Sequence, residues 1–160
     1  MDVTSLKWVL CNKKASNQAI TETLQTLQKK IPALFMDMMK LCDGGCLKNS
    51  FFEYYDVFLG CVVGDSAACF LGFEESEYSL LCIFKNPPEL LPKDVIAFAE
   101  TGGGDLICFD YRQKAETDDP PVVFWSHEAS PDQSLSPIAP NFEAFLSILK
   151  RPPDDESIAG

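Results

Sequence analysis

The sequence predicts one compact domain of helices and strands, on three observations. At 160 residues with 46% hydrophobic content, the chain can bury a core without disulfide or metal staples. Two consecutive segments carry apolar residues at helical spacing, and three later segments are β-branched and aromatic, bounded by Gly, Pro or Asp.

The first helix is expected over residues 17 to 30, NQAITETLQTLQKK, where Ile20, Leu24 and Leu27 share a face. Ser16 or Asn17 is the candidate cap, and Lys29 and Lys30 suit the negative end of the helix dipole. Pro32 suits the first turn of a second helix, PALFMDMMKLC, whose Leu34, Phe35, Met38, Met39 and Leu41 cover most of its girth. Gly44 and Gly45 then supply a left-handed stop. This Met-rich face reads as core.

Between Phe51 and Phe73 the chain turns aromatic and β-branched, punctuated by Gly60, Gly64 and Gly72, and reads as short strands and turns. SEYSLLCIFKNPPELLP is ambiguous between helix and strand, because its apolar run is short and Pro87 and Pro88 close it. Three strand candidates follow: DVIAFAET, DLICFDYR and PVVFWSHE. A short helix, NFEAFLSILK, ends the domain, with Asn141 as cap and Phe142, Phe145, Leu146 and Leu149 on one face. RPPDDESIAG, residues 151–160, is expected to be a flexible acidic tail.

The three glycines at 102–104 lead into a strand-like segment and are followed by Asp105, with no Lys-Ser or Lys-Thr pair. A phosphate cradle needs a following helix whose N–H groups meet the anion, so a turn or bulge between strands is the better account. The seven cysteines are odd in number and mostly lie in apolar stretches, so buried free thiols are expected, although Cys42 and Cys46 flank a turn. With one histidine and no paired Cys spacing, no metal or cofactor site is expected.

Apolar stretches such as Val57–Val63 are too short to span a bilayer, and Asp2 spoils a secretory leader, so a cytoplasmic protein without a membrane partner is expected. The net charge of −11 repels the phosphate backbone and argues against nucleic acid as a partner. The same charge would steer in a basic protein, although solubility alone also accounts for it.

His127 is the one near-neutral titrating side chain, but no nucleophile signature accompanies it. Asp105, Asp110 and Glu128 stand near the ends of predicted strands, where they suit a carboxylate pair, a cation site or a blunted sheet edge. Trp125 lies among residues apolar on both faces and is expected in the core.

The order of these pieces resembles the SUKH superfamily, which includes bacterial immunity proteins and fungal cell-wall regulators. The matching pieces are the Pro-led helix ending in Gly-Gly (Pro32 to Gly45), FLGF, LLPKDVIAFAETGGGDLICFDYR, PPVVFWSHE and IAPNFEAFLSIL. They cover roughly residues 16 to 150, with Asp43-Gly44 where the family usually has Asn-Gly. The resemblance implies an α+β fold, a single SUKH-like domain over residues 1–150 with helices packed around a mostly antiparallel or mixed sheet. It also implies an immunity protein without enzymatic activity, which neutralises a cognate polymorphic toxin, a nuclease or other nucleic-acid-modifying domain. A regulatory interaction scaffold and, more remotely, a hydrolase using an acidic cluster are the alternatives. By motif position, Asp105, Asp110, Trp125, His127 and Glu128 are the candidate partner-binding residues.

Overall fold

The computed structural model describes residues 1–153; residues 154–160 of the expected tail lie outside the described residues. Seven strands form one antiparallel sheet: β1 (Trp8–Cys11), β2 (Gly45–Leu47), β5 (Cys69–Phe70), β6 (Val95–Glu100), β7 (Leu106–Asp110), β8 (Val122–Trp125) and β9 (Leu135–Ala139), side by side in that order. The strands β3 (Phe51–Asp56) and β4 (Cys61–Ser66) form a separate antiparallel hairpin. Among the described residues the α-helices are α1 (Asn17–Leu27), α2 (Ala33–Met39), α3 (Leu80–Lys85) and α4 (Phe142–Ile148). The expected α+β fold is therefore the observed one, and its sheet is antiparallel.

Local chemistry explains most boundaries. The side chain of Ser16 accepts from Ala19 N and that of Asn141 accepts from Ala144 N, each satisfying a helix N–H that has no partner within its helix. Pro32 stands as the cap of α2 rather than within its first turn, its carbonyl accepting from Phe35 and Met36. Ser79 accepts from Cys82 N, which resolves the apolar run of the ambiguous 76–92 segment as the short helix α3. Gly44 and Gly45 have φ of +81° and +111°, and a Cβ on Gly45 would lie 2.3 Å from Leu10 O. Only glycine lets the chain enter β2 this close to β1.

The centre of the sheet is covered on both faces, since every residue of β7 and β8 and all of β6 except Glu100 is buried. Phe35 of α2 makes edge-on contacts with Phe73, Phe98, Phe109 and Phe142, and Phe98 stacks on Phe109. The hairpin packs through its inner face, where Phe52 meets Phe145 and Tyr54 stacks on Phe124 of β8. The chain leaving α4 pairs with the hairpin through reciprocal 2.9 Å backbone bonds between Phe51 and Lys150.

The expectation of free buried thiols needs correction. Cys11 and Cys42 form a disulfide, and of the free cysteines Cys108 is buried while Cys61 is exposed. The cause lies in topology: the segment after α2 returns beside β1, with Asp43 N donating to Lys13 O and Cys11 opposite Gly45. Cys42 thus meets Cys11 rather than Cys46.

Candidate functional site

The Gly-rich segment forms the β6–β7 turn. Thr101 organises it: its hydroxyl accepts from Gly103 N and Asp105 N, and its own N–H donates to Asp105 O at 3.1 Å. Of the three glycines only Gly104 takes a left-handed φ, +91°, and its Cβ position lies 3.5 Å from the His127 ring. The turn therefore leaves room for the imidazole beside it.

The adjacent end of β8 supplies that imidazole. One oxygen of Asp105 accepts from His127 N at 3.0 Å and lies 2.6 Å from His127 Nδ1. A carboxylate only accepts, so Nδ1 carries the proton and the ring is fixed in orientation. Nε2 faces Glu128 at 3.8 Å, and the Glu128 side chain is largely exposed. His127 is thus bracketed by two carboxylates, and among the described residues no hydroxyl or thiol is hydrogen-bonded to Nε2. The thiol of Cys108, within β7, is pushed up by burial and then by the charge of Asp110, the opposite of an activated nucleophile.

The hairpin adds further carboxylates at this end. Asp56 is buried and accepts from Tyr54 Oη at 3.1 Å and Leu59 N at 2.9 Å. The Tyr54 hydroxyl is pushed up first by burial, then by Asp56, Asp65 and Asp105. Asp65 is itself raised, chiefly by burial, against the bond from Ser66 N and with a smaller contribution from the charge of Asp105. Tyr54 marks the point where the hairpin acids approach the β7–β8 end.

The five residues expected to share a partner-facing cleft do not come together. Asp105, His127 and Glu128 do, at one end of the sheet. Asp110 stands at the far end of β7, roughly 16 Å away for five extended residues. It is buried and held in a fork by Arg112 Nε and Nη2, both at 2.9 Å. Trp125 is 3% exposed and packs in the core, as its apolar surroundings predict, with no partner for Nε1 among the described residues. Strand geometry explains the separation: neighbours in sequence along a strand point to opposite faces, and its two ends lie far apart.

Asp56, Asp65 and Tyr54 were not singled out from sequence. The signal that was present is the alternation FFEYYD, which puts Phe52, Tyr54 and Asp56 on one face. Among the described residues, no group of three or more His, Cys, Asp and Glu side chains is arranged to hold a metal ion, and no helix is long and apolar enough to cross a membrane. Two hollows lie elsewhere, one of about 750 Å³ between α1, α3 and residues 73–79, the other of about 950 Å³ beside Leu10, Phe70 and Tyr78.

An antiparallel sheet with helices around it, ending in a carboxylate-bracketed histidine, defines an α+β domain whose most developed polar feature is a surface. The family model described as SMI1/KNR4 family (SUKH-1) matches residues 14–148, and the chain belongs to that family. It is also 27% identical over 151 residues to the SPbeta prophage-derived uncharacterized protein YokK of Bacillus subtilis (strain 168), covering 84% of this chain and 74% of that protein.

Proposed function

We propose that this protein is an immunity protein that binds and neutralises a cognate toxin, covering a basic surface on it with the acidic end built from Asp105, His127 and Glu128. In this reading the toxin is a nuclease or another nucleic-acid-modifying protein, the complex forms in the cytoplasm, and the immunity protein makes and breaks no bonds. Family membership and the likeness to a prophage-derived protein support a role of this general kind. The observation that carries the reading is the Asp105–His127–Glu128 arrangement, in which a turn with an internal scaffold fixes Asp105 against His127 and Glu128 stands exposed beside the same ring. Carboxylates in place of phosphate give a basic active site an electrostatic match, and the net charge of −11 draws such a partner in.

The test is co-expression with the product of the neighbouring gene, followed by purification at low and high salt. A stable complex that restores growth and weakens as salt rises is the expected result. Absence of any salt-sensitive complex, or protection that persists in an Asp105→Asn/Glu128→Gln variant, would remove the basis for the reading.

A further inference from the structure

The tip and outer face of the β3–β4 hairpin carry apolar side chains where turn chemistry favours Gly, Asn, Asp or Ser. Tyr55 is 56% exposed, Val57 37%, Phe58 43%, Leu59 59% and Val62 64%. Tyr55 and Val62 are directly opposed across the hairpin, and Val57, Phe58 and Leu59 continue from them around the bend. Scattered apolar residues on a surface need no explanation, but five within eight positions of one hairpin form a patch.

The backbone beneath this patch is tied down. Asp56 accepts from Leu59 N, Gly60 N donates to Asp56 O, and Val57 N donates to Ser136 Oγ on β9. Tyr54, on the inner face, packs against Phe124 while its hydroxyl bonds to Asp56. A buried carboxylate is used to hold apolar tips outward, so the patch is presented in advance rather than exposed by looseness.

The geometry points to this hairpin as the apolar anchor of the interface, inserted into a partner pocket rimmed by Lys and Arg. The inference rests on the proposed immunity function and names the surface through which it acts. Charge selects the occupant. A second copy of this chain would bring another −11 charges against a molecule of the same sign, whereas a basic protein gains from that overall charge while burying Phe58 and Leu59. Aromatic and aliphatic anchors at the centre of an interface with charges at its rim are the usual division of labour.

The experiment places the photocrosslinking residue p-benzoylphenylalanine in the full-length protein, in the organism that makes it, in place of Tyr55, Val62, Glu128 or Leu90. Crosslinks from positions 55 and 62 to one identified basic protein, with none from exposed Leu90, are expected. Replacing Phe58 and Leu59 by Ser should weaken binding of that protein about tenfold or more, mainly through faster dissociation. Crosslinks from position 128 but not from 55 or 62 would overturn the hairpin proposal and leave the acidic end standing. Self-crosslinking from the hairpin, or no crosslink from any position, would overturn it as well, and the last result would also remove the immunity reading.

Discussion

Burial lifts the Asp65 carboxyl above its ordinary range, and the charge of Asp105 adds to the lift against the bond from Ser66 N. A carboxyl whose folded value is raised binds its proton more tightly in the native state, so folding is penalised as pH rises through that value. Asp65→Asn is therefore expected to stabilise the protein at neutral pH, with the gain fading as pH falls into the ordinary carboxylate range; urea melts at both pH values measure it. A position that lowers stability yet holds charge beside a surface is where binding and folding conflict. Asp110 has the opposite sign. Burial raises its carboxyl, but the charged and backbone hydrogen bonds of Arg112 outweigh that and hold it below the usual value. Stability from this pair is present above the ordinary range and is lost as pH falls through the depressed value. Arg112→Ala should cost about 1.5–3 kcal/mol at neutral pH, converging with the parent protein in strong acid. At this scale the sequence pointed to Asp105, His127 and Glu128 only as part of a set of five with Asp110 and Trp125. It did not separate them from Asp110, whose distance follows from strand length rather than from residue type.

Among the elements, the long periodic segments were legible and the short ones were not. The helices α1, α2 and α4 announced themselves through spacing and caps, and β6, β7 and β8 through continuous apolar runs buried on both faces. The strands β1, β2 and β9 went unread because each is three to five residues long and paired at or near a sheet edge, and β9 contains Pro137. Proline is tolerated there because β9 pairs only with β8 and its other side needs no ladder bond. The same short β1 carries Cys11, which is why the disulfide to Cys42 escaped a reading based on apolar context. Cys11→Ser should cost about 2–4 kcal/mol in denaturant unfolding, and the parent protein under reductant should show a similar loss. The hairpin was read as strands and turns, but its meaning lies in a tertiary fact: which side of FFEYYD meets β8 decides which side is left bare.

Across the whole molecule, one aromatic cluster holds the helices to the sheet, and one end of that sheet brings Asp105, His127 and Glu128 together. Phe35→Ala removes the ring at the centre of the cluster and should cost about 3–5 kcal/mol, read as a lower denaturant midpoint at unchanged slope. The central claim is that negative potential at the Asp105–His127–Glu128 end steers a basic partner onto the protein. Its most direct test is the association rate with the co-purified toxin at increasing salt, for the parent protein and for Asp105→Asn/Glu128→Gln, each first shown folded by thermal melting. The account predicts fast association that falls steeply with salt in the parent, and slower association with a flatter salt dependence in the variant. Equal rates and equal salt slopes for the two proteins would contradict it.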